Sequence, residues 1–238
     1  MEEKLQFLNK YTLQKNVTVR LIQPEEIKDI DNKQLPDEWR ELLQEKDPKK
    51  RTKALLEIWR HYCQRELSNT IAYLNDNLEN VELMFVNGQY SLLYSINNSD
   101  GKVKYYEGLC PINTDKPVNP KLAEVWDKLP RSIRVFYEKV HNGFYYYALK
   151  AMGLLPLDGV TYLDDYEWGI IETLDEPLKI DIQTSFGFFS NGMGGYVVCD
   201  YKNCDNDKAT LWWKDDQPDY DINFWDVVDE WNVIGFTK

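Results

Sequence analysis

The run GMGG, residues 192 to 195, lies inside FGFFSNGMGGYVVCDYKN (186 to 203) and brings three glycines into four positions. Glycines spaced this closely let backbone N–H groups close around a phosphate when they stand between a strand and a helix whose N-terminus faces the anion. Here FGFFS precedes them and YVVCDY follows, and both flanks have the aromatic and β-branched content of strands. The run matches neither GxGxxG nor GxxxxGK[ST], and no lysine follows until Lys202. It therefore reads as a hairpin turn, with Asn191-Gly192 expected to supply the positive φ angles.

Other chemistry-bearing residues are sparse or poorly spaced. His61 and His141 are the two histidines, too few for a multi-histidine metal site or a conventional Ser-His-Asp triad. The spacing places His141 near a helix C-terminus, where it reads as a cap compatible with the helix dipole. Cys63, Cys110, Cys199 and Cys204 show no CxxC spacing and read as free, buried or half-buried thiols. In DYDINFWDVVDE, Asp219, Asp221, Asn223 and Glu230 occupy positions 1, 3, 5 and 12 of a calcium-loop count. Phe224 stands where that loop needs glycine, and the segment also has the pattern of an amphipathic helix, which is the reading taken. No metal or other cofactor is expected. The paired acids Asp164-Asp165 and Asp215-Asp216 could divide acid and base roles, yet adjacent exposed carboxylates more commonly form a solvated face.

Charge is the more informative signal. The chain of 238 residues carries a net charge of −12, yet residues 1 to 150 hold 23 Lys and Arg against 22 Asp and Glu. Residues 151 to 238 hold 5 against 18, so the acid excess belongs to the last third. A surface of one sign repels nucleic acid and anionic membrane and steers basic partners toward it. Asp164, Asp165, Glu167, Asp215, Asp216, Asp219 and Asp221 form the expected acidic rim, and Trp168, Trp212 and Trp213 are candidate interface anchors. The same tryptophans, lying in strand-like runs, equally suit a core.

The elements that must position these groups follow from periodicity. Residues 1 to 109 read as helices followed by a three-stranded meander. One helix starts at Asp37, and a second runs from about Lys49 to Leu78 with Leu55, Ile58, Trp59, Tyr62, Leu67, Ile71 and Leu74 on one face. Asn87-Gly88 and Asp100-Gly101 mark the meander turns. CPINTDKPVNP, residues 110 to 120, is the linker candidate. Residues 121 to 238 read as an α+β domain that can pack with the first part as one unit. They begin with a proline-started helix in LPRSIRVFYEKVHNG, followed by a strand over about Tyr166 to Glu172. The hairpin comes next, then a strand in ATLWWK and a closing helix in NFWDVVDEW. The acidic, amphipathic start MEEKLQFLNK lacks the pattern of a signal peptide, and no stretch approaches the roughly 20 apolar residues of a membrane span, so a cytoplasmic location is expected.

LPRSIRVFYEKVHNG, PLDGVTYL, the FFSNGMGGYVVCDY hairpin, LWWK and FWDVVDEW together resemble the SUKH superfamily over about residues 122 to 236. The resemblance implies an antiparallel sheet flanked by helices, here with an N-terminal helical and β-meander extension longer than a minimal member needs. It also implies a noncatalytic bacterial immunity protein that binds and neutralises a cognate toxin, and the acidic last third points to a toxin with the basic surface of a nucleic-acid-targeting enzyme. A regulatory protein-interaction scaffold and a carboxylate-metal hydrolase are the alternative readings.

Overall fold

The computed structural model describes residues 2–12, 17–112 and 119–238. Its centre is one antiparallel sheet. Strands β1 (Arg20–Ile22), β2 (Leu78–Val86), β3 (Gln89–Asn97), β4 (Val103–Leu109), β5 (Phe144–Tyr146) and β6 (Ala151–Leu154) lie side by side in that order. The sheet continues through β8 (Ser185–Ser190), β9 (Gly195–Asp200), β10 (Lys208–Trp213) and β11 (Asp219–Asn223), while the short β7 (Thr161–Tyr162) also pairs with β8. The α+β class read from the sequence is the one observed. Because β4 pairs with β5, the sheet runs without a break from the meander into the C-terminal part. Within the linker candidate 110 to 120, residues 113 to 118 lie outside the described residues.

The meander turns where its sequence requires. Asn87 and Gly88 have φ of 48° and 80°, so both central positions of the first turn are left-handed, as a tight hairpin with right-twisted strands demands. The hairpin of the glycine run is also formed, with a different division of labour from the one expected. Positive φ falls on Gly192 (74°) and Gly194 (90°), whereas Asn191 contributes its side chain. Asn191 Oδ1 accepts from the backbone N–H groups of Met193 at 2.8 Å and Gly195 at 2.9 Å. Strands stand on both sides, so no helix N-terminus faces these amides. Gly192→Val, which must force a β-branched residue into left-handed backbone with Ala151 Cβ 3.3 Å from its own Cβ, is expected to cost about 1–3 kcal/mol in urea unfolding. An unchanged midpoint would refute this account of the turn.

Helices cover one face of the sheet. α1 (Glu2–Tyr11) is the exception and packs on the opposite face through Leu8, beside Met84, Leu93 and Tyr147. α2 (Asp37–Gln44) and α3 (Pro48–Cys63) follow, the latter started by the Asp47 carboxylate accepting from Lys49 N. The single helix expected over 49 to 78 is instead two, α3 and α4 (Ser68–Asn77), with a break at residues 64 to 67. The apolar face continues through the break because Leu67, Ile71 and Leu74 are all buried, which is why periodicity alone does not reveal it. The cause is tertiary. Asp229, about 160 positions later, accepts from Asn69 N at 2.9 Å and Thr70 N at 2.7 Å and so caps the new N-terminus. Asp229→Ala leaves the buried Thr70 amide and the half-buried Asn69 amide contact without their acceptor, with an expected loss of about 2 kcal/mol in urea unfolding and a smaller loss for Asp229→Asn; equal stability of all three proteins would refute the cap.

Asp229 belongs to α7 (Phe224–Thr237), which begins where Asn223 Oδ1 accepts from Trp225 N and Asp226 N. Between α5 (Pro120–Ala123) and β5 lies α6 (Arg131–Val135), which widens into one π turn over Phe136–Val140. That turn closes with His141 N donating to Phe136 O at 3.0 Å. It swings His141 into the core instead of leaving it as the cap read from the sequence, and the ring is wholly buried.

The segment expected as a strand over 166 to 172 is not one. A short 3₁₀ turn, Gly169–Thr173, occupies it, and the chain from Leu163 to Ile182 crosses the sheet face opposite α7 as an irregular cover. Leu163, Trp168, Ile171, Leu178, Ile180 and Ile182 pack there on Val198 and Trp212. Their uneven spacing fits neither a strand nor a helix; each is held by the sheet beneath it.

Candidate functional site

The cover and the sheet between them enclose an open cleft of about 600 Å³, lined by Tyr166, Glu167, Trp168, Ile170, Tyr196 and Asp215 among others. Its floor is set by Trp168, whose Nε1 donates to Leu163 O at 2.7 Å. Beneath it Trp212 meets Trp168 edge-on at 5.2 Å. Tyr196 on β9 stands against Trp168 at 6.1 Å, and Tyr166 flanks it at 5.7 Å. Tyr166 is 57% exposed, so one wall of the cleft is a ring presented to solvent. Burial, with the Tyr166 phenol nearby as a smaller contribution, raises the Tyr196 hydroxyl above its ordinary pKa and keeps it neutral.

Of the residues singled out from the sequence, Glu167, Trp168 and Asp215 meet in this cleft. Trp212, at 0% exposure, is a core residue that supports Trp168, so of the two readings open for it in the sequence the core is the observed one. Trp213, the next residue along β10, points to the other side of the sheet and packs on Trp231 of α7 at 5.8 Å. It lines a shallower depression of about 290 Å³ with Met193, Asp215 and Asp216, and Met193 at its edge is 83% exposed. Asp164 and Asp165 lie in the 3₁₀ turn that leads into the cover. Asp165 is paired with Lys121 at 2.5 Å, and this hydrogen bond raises the lysine above its ordinary pKa. The two tyrosine walls escape the sequence reading; the signal available was Tyr166 set within the acid-rich DDYEW, outside any periodic element.

Asp219 and Asp221 belong elsewhere. They lie on β11, the last strand of the sheet, where Asp221 takes a positive φ of 59° and pairs with Lys208 at 2.5 Å. Asp219 accepts from Trp213 Nε1 at 3.4 Å. Charged side chains and an irregular register on an edge strand discourage pairing with another chain, which gives these two acids a structural role. The calcium count is not a loop: Asp219, Asp221 and Asn223 are in the strand, Asn223 spends its side-chain oxygen capping α7, and Glu230 lies on that helix. Among the described residues no group of three or more His, Cys, Asp or Glu is placed to hold a metal ion. Also among the described residues, no helix is long and apolar enough to cross a membrane.

The most strongly shifted histidine is structural. His141 Nδ1–H donates to Leu109 O at 3.0 Å, which leaves Nε2 to accept from Tyr94 OH at 2.6 Å, and Tyr94 OH in turn accepts from Trp59 Nε1 at 3.0 Å. Loss of hydration on burial lowers its pKa to about 3, so the ring is neutral. Gly108 permits the approach, since a Cβ there would lie 2.5 Å from His141 Cε1. Cys63, Cys199 and Cys204 are buried thiols outside any disulfide. What the surface offers is therefore a concave aromatic patch rimmed by carboxylates. No protein-family model, no curated protein and no solved structure matches the chain.

Proposed function

We propose that this chain is a noncatalytic immunity-type protein of the SUKH kind, which binds a cognate toxin and neutralises it by covering a basic surface. The observation that carries the reading is the coincidence of the acid-rich last third with the aromatic cleft: Glu167 and Asp215 rim the same concavity that Tyr166, Trp168 and Tyr196 line. Aromatic side chains in a concavity supply contact area at low entropic cost, and carboxylates at its rim accelerate encounter with a cationic partner. Such a rim complements the cleft of an enzyme that acts on nucleic acid, and it disfavours direct contact with nucleic acid itself.

The test is neutralisation. The gene adjoining this one is expressed as a toxin candidate, alone and together with this chain. Growth arrest relieved by co-expression, with the two proteins co-purifying, supports the proposal. A non-toxic neighbour that does not co-purify overturns it and favours the scaffold reading.

A further inference from the structure

We propose that the 600 Å³ cleft is an arginine-binding pocket, which receives one arginine side chain of a partner protein. This rests on the partner-binding reading and names the chemical group that would be recognised.

The protein itself supplies the precedent. At four places among the described residues a lysine sits over an aromatic ring while pairing with a carboxylate. Lys4 lies 5.7 Å from the Tyr105 ring and pairs with Glu82. Lys121 lies 4.1 Å from the Tyr162 ring and 2.5 Å from Asp165. Lys150 lies 3.6 Å from the Tyr147 ring and 2.8 Å from Glu107. Lys179 lies 5.1 Å from the Tyr220 ring and 2.8 Å from Glu176. The cleft has the same two partners, rings and carboxylates, in Tyr166, Trp168, Tyr196, Glu167 and Asp215. Among the described residues, no lysine or arginine stands over any of these three rings. Lys214 lines the cleft and its charge opposes that of Asp215 beside it, so the cleft is selective for a cation able to stack as well as pair. Arginine meets that condition better than lysine. Its guanidinium is planar and weakly hydrated, stacks on an aromatic face and offers a fork of donors to a carboxylate. The volume exceeds one side chain and leaves room for the neighbouring backbone of the segment that carries it.

The experiment titrates the full chain with three capped tripeptides, Gly-Arg-Gly, Gly-Lys-Gly and Gly-citrulline-Gly, while NMR follows the indole N–H of Trp168 and the ring of Tyr166. Saturable shifts at these residues are expected for the arginine peptide at concentrations on the order of millimolar, with at least about fivefold weaker binding of lysine and no saturation with citrulline. Tyr166→Ala, at an exposed position, is expected to weaken arginine binding about fivefold, and Glu167→Gln with Asp215→Asn to weaken it further. Equal shifts with arginine and citrulline, shifts centred away from Trp168, or no saturable shift overturn the proposal; tighter binding of lysine overturns the choice of arginine. Failure here is separable from failure of the toxin reading. Arginine binding by a protein that neutralises no toxin sinks the function alone, whereas full neutralisation by the Tyr166→Ala, Glu167→Gln, Asp215→Asn protein sinks the pocket alone.

Discussion

Lowering the pH from 7 to 5 at constant ionic strength is expected to cost the fold about 2 kcal/mol through His141 alone, read as a fall in the urea unfolding free energy. The ring is neutral in the folded protein, with a pKa lowered from 6.5 to about 3 by burial among Trp39, Trp59, Phe136 and Phe144. The unfolded chain binds a proton below about pH 6.5 that the folded chain refuses, so unfolding takes up protons and is favoured by acid. The contribution is whole above pH 6.5, is lost progressively as the pH falls, and stops changing below about pH 3. His141→Gln keeps a donor and an acceptor for Leu109 and Tyr94 while removing the titration. It should be less stable at pH 7 by roughly 2–4 kcal/mol, because the aromatic packing is lost, and should show a shallower pH dependence between 7 and 5. Parallel curves for the two proteins would mean that His141 is not held neutral in the core.

Association with the proposed toxin partner is expected to slow about tenfold at low salt when Asp164, Glu167, Asp215 and Asp216 are replaced by their amides, and the salt dependence of the rate should flatten with it. All four carboxylates are exposed, so folding should change little. Dissociation should change less than association, because rim charges act mainly on encounter. Asp219→Asn with Asp221→Asn is the matched control. These two acids sit on the edge strand, one paired with Lys208 and one bonded to Trp213, and their loss should leave the association rate within about twofold of the wild type. Stopped-flow measurements at two ionic strengths separate the cases. If the first set leaves rate and slope unchanged, the binding face lies away from the cleft.

Local chemistry carries far in this chain. The meander is legible because Asn87-Gly88 admits a left-handed turn between β-rich runs, and α7 is legible because Asn223 caps a periodic apolar face. The hairpin is legible for the same kind of reason, although which of its residues take positive φ is not. The acid excess of the last third is a property of composition and needs no fold. Tertiary structure decides the rest. A helix that periodicity runs unbroken from 49 to 78 is divided because a carboxylate some 160 residues away caps its second half. His141 becomes a neutral core group because a π turn rotates it inward and Gly108 lets the sheet approach. Neighbouring Trp212 and Trp213 go to opposite faces of β10, one into the core and one toward α7, since a strand alternates its side chains and only the layers above and below say which face is which. The cleft itself has no sequence period. Tyr166, Glu167 and Trp168 come from an irregular cover, while Tyr196 and Asp215 come from the hairpin strand and the end of the next, and they meet only because burying Leu163, Ile171 and Ile182 on Val198 and Trp212 lays that cover across the sheet.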